Sequence, residues 1–381
     1  MTVQHVRVDE VLELRRTPVV VEPGLTYAEI GLRSFGKGVF HKPPVVGSDL
    51  GDKRVFEIEP GDLLLSNVFA WEGAIAVAGP DEAGLIGSHR FMTYRPIDNR
   101  VNAGWARYFF LSEAGLAMIR GASPGSAGRN RTLGIGAFES LVIPLPNRDE
   151  QEQTAERLDA GRALATDLER RLAEASAESL LRVLPQLTQD VISRRAIDRQ
   201  RIGDLADIVS DVVHPGDRTE PAEVFVGLQH VEPHSGVRLG ADPLGAEKGR
   251  KFRFRPGDVV YGYLRPYQNK AMCADIHGLC SVDQYVLRPR TGVDSRLLAH
   301  LLRSKQVLAA AVSLTHSLQL PRLRSGLLLG IEVDIPDESA TSVLDGLVGR
   351  VRQASVLRRE QTAIARALPT SFINEAFRHL R

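Results

Sequence analysis

Apolar positions along this chain follow two rhythms, and each rhythm occurs twice. In the first, short apolar runs alternate with Gly, Pro and Asp: VFEIEPGDLLLS and GAIAVAGP early in the chain, FRFRPGDVVYGYL and QYVLRP later. Runs of this length closed by turn residues predict strands. Proline presets one φ and glycine accepts a positive one, so Pro-Gly-Asp predicts a tight turn between two of them. Stretches of helical period, AGWARYFFLSEAGLAMIRG and DSRLLAHLLRSKQVLAAAV, predict short helices among the strands. The second rhythm is purely helical. From Asn147 a long charged stretch without proline carries Leu158, Ala165, Leu168, Leu172 and Ala175 at three- and four-residue spacing. Leu344, Leu347, Val351, Ala354, Ile364 and Leu368 form a similar stripe near the C-terminus.

The two halves correspond in detail. Gly61 and Gly257 of the Pro-Gly-Asp turns lie 196 positions apart, as do Ile30-Gly31-Leu32 and Val226-Gly227-Leu228. SHRFMTYRP, from Ser88, faces SVDQYVLRP, from Ser281, at an offset of 193. VIPLP and EVDIP follow at 190, and Leu184-Pro185 and Leu368-Pro369, each expected to open a helical tail, at 184. Offsets that shrink in one order are what a duplicated unit with small deletions leaves, and a repeat this long means two domains. The predicted fold class is α+β: two similar mixed α/β domains, residues 1–146 and 197–336, separated by helices over 147–196 and 337–381. Each helix has a narrow apolar seam that would not persist alone in water. The economical arrangement packs the two together, antiparallel and coiled-coil-like, as a rod with a domain at each end.

Composition narrows the function classes. A chain of 381 residues is long enough for two sizeable cores. No apolar stretch approaches the ~20 residues a membrane helix needs, and the N-terminus lacks the pattern of a secretory signal, so a cytoplasmic protein is expected. Cys273 and Cys280 fit no zinc spacing and read as buried thiols. Net charge of +1 argues against indiscriminate coating of nucleic acid. Seven of the 48 basic residues are lysine, and arginine is the side chain that grips phosphate or guanine with a planar fork. Codon usage in a G+C-rich genome gives the same excess, so it decides nothing alone.

Position says more than content. Lys248, Arg250, Lys251, Arg253, Arg255, Arg265 and Lys270 are set against one acid, Asp258, between residues 248 and 270. Arg265, Tyr267, Gln268, Asn269 and Lys270 fall in the single run LRPYQNK, rich in the side chains that read base edges. A solvated strand edge is the plainer reading of the same charges. Residues 52–74 of the first half hold Lys53 and Arg54 against five acids, so the halves would contact different sequences. Further candidates precede each IP motif: Arg129, Asn130 and Arg131 in GRNRTLG, and His316, Gln319, Arg322 and Arg324 in HSLQLPRLR. An ordinary surface loop explains those equally. His89 and Arg90 are candidates beside Trp71, itself expected in the core.

The motifs PGDVVYGYLRPYQNK, GLCS, LRP, IPLP…EQ and LPTSFINEAFRHL resemble the specificity (S) subunits of type I restriction-modification systems, in the family's order of recognition domain, conserved helix, recognition domain, conserved helix. LLLSNVFAWEGAIAV with GSHRF resembles another variant of the same target recognition domain. The resemblance covers nearly the whole chain. It implies a non-catalytic subunit that binds a bipartite, asymmetric site in double-stranded DNA, each domain reading one half. It also implies partners: two adenine-methyltransferase (M) subunits docked on the helices, including Leu158, Leu168, Leu172, Leu347, Val351 and Ile364, and restriction (R) subunits for cleavage. S-adenosylmethionine, ATP and Mg would belong to those partners. The chain departs from the pattern where the second copy, IPDESATS, lacks the counterpart of Glu150-Gln151, and where Gly346 and Gly349 weaken its helix. Leu184-Pro185 predicts a break in the first helix.

No catalytic motif competes with this reading. An Asn/Asp-Pro-Pro-aromatic motif and a Glu-X-Lys nuclease signature are both missing from the sequence. Gly134-Ile135-Gly136 precedes a strand-like run instead of following one. The alternatives are a stand-alone or defence-associated DNA-binding protein built on the same domains, and a scaffold whose domains bind proteins.

Overall fold

In the computed structural model, which describes residues 3–125, 131–174, 176–245, 249–315 and 319–380, both Pro-Gly-Asp turns close in the same way. Gly61 and Gly257 have φ of 87° and 86°, where a Cβ would be strained. Their amides donate to the carbonyls of Ala78 and Ala274 at 2.8 and 2.9 Å. The aspartate that follows is fully buried in each copy. Asp62 accepts the Glu59 amide and Asp258 the Arg255 amide, both at 3.0 Å. Each then holds an arginine of the Arg-Pro motif: Arg95 at 3.1 Å, and Arg288 through two bonds of 2.8 and 2.9 Å. The two most similar motifs of the repeat are therefore bonded to each other.

The fold is α+β. The residues group into two units, 1–170 with 363–381, and 171–362. Each contains a four-stranded antiparallel sheet of the same order. In the first it runs Leu12–Leu14, Phe91–Pro96, Leu63–Ser66, Ile75–Val77; in the second, Ala206–Val209, Gln284–Pro289, Val259–Gly262, Ala271–Cys273. A two-stranded ladder pairs each IP motif with the start of its copy, Gln4–Arg7 with Val142–Leu145 and Ala196–Arg201 with Glu332–Pro336. The remaining strands differ. The second unit has a five-stranded sheet in which Phe225 pairs in parallel with Leu279. The first has separate short ladders and a single parallel bridge, Glu29 to Ile86, at the matching place.

Each predicted short helix is a pair. Ala103–Leu111 and Glu113–Gly121 break at Ser112, which caps the second by accepting the Gly115 amide. Ser295–Arg303 and Lys305–Ser313 break likewise at Ser304. These helices cover the sheets and fill the cores, with Trp105, Phe109 and Phe110 in the first unit and Leu298, Leu301 and Leu302 in the second. Cys280 is buried, but Cys273 is half-exposed.

The long helices depart from the simple seam. Helices span Arg148–Glu174, Ala177–Arg182, Leu184–Arg194 and Ala340–Ala376. Pro185 opens its helix as expected, whereas Pro369 lies inside a continuous one. The last helix begins four residues after Pro336 and the first only two after Pro146. Gln151 explains the difference. Its buried amide accepts the Asn102 amide and donates to the carbonyls of Arg100 and Pro146, which anchors the first helix at its start. Leu158, Leu172, Leu344 and Val348 are buried, and Leu347 and Val351 half-buried. Leu168 and Ile364 are 40% and 61% exposed, so neither belongs to a buried seam. Ile364 lies 20 residues past Leu344, which at ~3.6 residues per turn carries it to the opposite face. Ala175 lies outside the described residues. Among those residues no helix is long and apolar enough to cross a membrane.

In each unit a carboxylate on the long helix locks the first short helix. Asp159 accepts from Tyr108 Oη and Arg107, both at 2.6 Å. Asp345 accepts from Arg296 at 3.0 Å and from His300 Nε2 at 2.8 Å, while Arg303 donates to His300 Nδ1 at 2.9 Å. Burial, reinforced by the Arg303 guanidinium, pushes His300 down to about 4 against the pull of Asp345.

Two outcomes follow from these buried groups. Arg288→Ala leaves the Asp258 carboxylate buried without a cation and is expected to cost about 3 kcal/mol in urea unfolding. Asp258→Asn keeps an acceptor for the Arg255 amide and should cost about 1 kcal/mol; the reverse order would dismiss the ion pair. For His300, the unfolded ring takes up its proton near 6.5 and the folded ring only near 4. Stability is therefore full above pH 6.5 and falls as pH drops toward 4, and His300→Gln should flatten that slope in melting curves across this range.

Candidate nucleic-acid interface

The strand after each Pro-Gly-Asp turn runs directly into a loop that the fold holds by its backbone. In the second unit Tyr263 donates its amide to the Asp283 carbonyl and accepts the Leu323 amide, each at 3.1 Å. Arg265 adds an amide bond to the Pro321 carbonyl at 2.8 Å. In the first unit Asn67 makes the same two bonds, to the Arg90 carbonyl at 2.9 Å and from the Leu133 amide at 2.8 Å. Leu133 and Leu323 are fully buried anchors. Beyond these bonds each loop makes one turn of 3-10 helix, Ala70–Glu72 or Pro266–Gln268. A left-handed residue ends it, Gly73 in one copy and Asn269 in the other.

Stretches distant in sequence thereby meet. LRPYQNK and QLPRLR form one surface, with Arg265, Arg322 and the 52%-exposed Tyr267 outermost, Gln268 half-exposed, and Gln319 and Arg324 exposed on the same approach. Arg265 holds φ of 53°, a left-handed conformation costing on the order of 1 kcal/mol outside glycine. Arg322 reaches Asp283 at 3.5 Å.

Two residues of the run turn inward. Asn269 is 2% exposed, and its Nδ2 donates to the Arg303 carbonyl at 2.9 Å. Lys270 donates to the Leu228 carbonyl at 2.6 Å, and burial lowers its pKa. Both hold the loop and are not available to bases, which the run LRPYQNK alone does not reveal. Arg250 is exposed and Lys251 lies over the Phe225 ring at 5.3 Å, both on the other sheet. Arg253 is neutralised by Glu223 at 2.5 Å, so the charge tally of residues 248–270 overstates the free cations. Lys248, His316, Arg129 and Asn130 lie outside the described residues.

The first unit brings together His89, Arg90 and Arg131 around its loop. Arg131 sits over the Trp71 ring at 5.7 Å, and Trp71 is half-buried against the core with its Nε1 donating to the Val68 carbonyl. Phe69 stands where the second unit has Arg265. The 196-residue offset, applied to LRPYQNK, would have found it.

No family model matches the chain. A curated relative, the type I restriction enzyme EcoDI specificity subunit of Escherichia coli, is 26% identical over 188 residues. That match covers 47% of this chain and 40% of the relative's length. Among solved structures, the HsdS subunit from Thermoanaerobacter tengcongensis superposes with a TM-score of 0.63 at 18% identity, over 99% of this chain and 96% of that one. The fold is that of an HsdS subunit. A second structure, described as the structural basis of complex assembly and conformational transition of the type I R-M system, gives a TM-score of 0.73 at 17% identity, over 98% and 97% of the two chains.

On this HsdS-like frame the inward asparagine has a measurable role. Asn269→Ala removes the bond to the Arg303 carbonyl and places alanine at a left-handed φ. It is expected to lower stability by about 2 kcal/mol in thermal unfolding, while Gln268→Ala stays near zero.

Proposed function

We propose that this chain is the sequence-specific DNA-binding specificity subunit of a type I restriction-modification complex. One observation carries the reading. Two units hold matching loops by the same backbone bonds, yet carry different side chains at the tips: Arg265, Tyr267 and Gln268 in one, the exposed Phe69 with the half-buried Trp71 and Glu72 in the other. A duplicated scaffold with divergent tips suits a bipartite, asymmetric site, with residues 1–146 reading one half and 197–336 the other. The arginine and glutamine of the second tip are base-edge readers. The left-handed conformation at Arg265 is held by its amide on the Pro321 carbonyl and its carbonyl on the Gln268 amide, so the tip backbone is fixed.

In this reading the chain performs no chemistry. Two methyltransferase subunits dock along the helices 147–196 and 337–381, where Leu168 and Ile364 stand exposed, and restriction subunits add cleavage. S-adenosylmethionine, ATP and Mg bind those partners. A stand-alone DNA-binding protein would share the tips but not the docking, and a protein scaffold would share neither.

Co-expression with the neighbouring methyltransferase gene, followed by single-molecule mapping of N6-methyladenine in host DNA, tests the reading. The expected result is a gapped motif of two short half-sites, of which replacement of residues 1–146 changes one. Arg265→Ala should relax a single position of the other half by about 1–3 kcal/mol. A stable copurified complex that leaves no new methylation would favour the stand-alone or scaffold alternative.

A further inference from the structure

The two loop tips correspond residue by residue. The Glu72 amide donates to the Phe69 carbonyl at 3.0 Å, and the Gln268 amide to the Arg265 carbonyl at 2.9 Å. One residue on, Gly73 donates to Ala70 at 2.8 Å and Asn269 to Pro266 at 2.9 Å. A phenylalanine therefore takes the position of an arginine, on a backbone that differs there, with φ of −127° at Phe69 and 53° at Arg265. It is 45% exposed and so is not a core residue.

Its surroundings are cationic. Phe69 borders an open cleft of about 480 Å³ that Phe40 and Phe91 also line, with Lys53, His89 and Arg90 at its edge. Lys42, also in the cleft, is 3.6 Å from Glu29. Among the described residues no ion pair engages Lys53 or Arg90. An exposed ring among free cations is a poor way to build a core, but it matches a nucleic-acid edge: cations for phosphates, ring for something apolar. The major groove offers one apolar group on a base edge, the C5 methyl of thymine.

Resting on the DNA-binding reading above, we propose that Phe69 is the specificity-determining side chain of the first unit and selects thymine through its 5-methyl group. The two tips then divide the chemistry, an apolar contact in one half-site and a guanidinium in the other. This difference on a duplicated loop contributes to the asymmetry of the site.

The test uses the full-length chain in complex with its methyltransferase subunits and duplexes carrying the methylated motif. Thymines of the half-site governed by residues 1–146 are replaced one at a time by deoxyuridine, which removes only the methyl group. One replacement should weaken binding about fourfold, the worth of burying one methyl. Phe69→Ala should bind the thymine and deoxyuridine duplexes alike, and Phe69→Arg should shift the preference at that position toward guanine. Deoxyuridine substitution in the DNA needs no altered protein, so a misfolded variant leaves the result intact. If the wild type discriminates sequences yet no deoxyuridine matters, or that half-site holds no thymine, the assignment of Phe69 is wrong and the DNA reading stands. If the complex shows no sequence preference at all, the DNA reading itself falls.

Discussion

A buried carboxylate that must find a cation organises both halves of this molecule. Asp62 and Asp258 sit at the tight turn with no exposure to water, where an unpaired charge would be costly. The arginine that answers each lies on the adjacent strand of the same sheet, so the pair fixes the turn and the register of two strands together. Such a pair adds little to net stability compared with an apolar substitute, and its value lies in permitting one arrangement. Arg288 grips Asp258 with both arms of its fork, while Asp62 is also approached by Arg15, which in turn contacts Glu59. The geometry is conserved between the copies and the ligation is not.

The clamp also sets where the recognition loop begins. The strand that leaves the turn is four residues long, and its next residue, Asn67 or Tyr263, is the one held by two backbone bonds. Backbone anchors make no demand on side chains, so Phe69 to Glu72 can differ from Arg265 to Gln268 while Asn67 and Tyr263 stay held alike, even though the backbone turns differently at Phe69 and Arg265. Rigid support under variable tips is how a site stays positioned while its chemistry changes. Anchoring and side-chain variation are thereby assigned to different residues of one short segment.

Much of this architecture can be read from the sequence, because glycine and proline punctuate a fold locally. The repeat places the Pro-Gly-Asp turns, the Arg-Pro strands and the IP strands, and Pro185 opens its helix as expected, whereas the strands Leu12–Leu14 and Ala206–Val209 lie outside the shrinking series. What escapes is set by distant partners. Asn269 and Lys270 look like base readers until the Arg303 and Leu228 carbonyls, 34 and 42 residues away, claim them. LRPYQNK and QLPRLR look like two patches until Tyr263 bonds Leu323. Ile364 and Leu168 look like seam positions because three- and four-residue spacing drifts only slightly per turn, and over a long helix the drift exceeds the width of a narrow stripe.

The arginine content has a structural resolution as well. Arg95, Arg253, Arg288 and Arg352 each close on a buried or half-buried carboxylate within their own unit. Their charge is spent on holding loops and turns, and 47 acidic residues against 48 basic ones leave a net charge of +1. Arginine suits that work because its fork satisfies two carboxylate oxygens at once, and a lysine there would leave one bare. The cations left facing water include Lys53, Arg54 and Arg90 in the first unit and Arg218, Arg250, Arg265 and Arg324 in the second, so the exposed set and the paired set do different work.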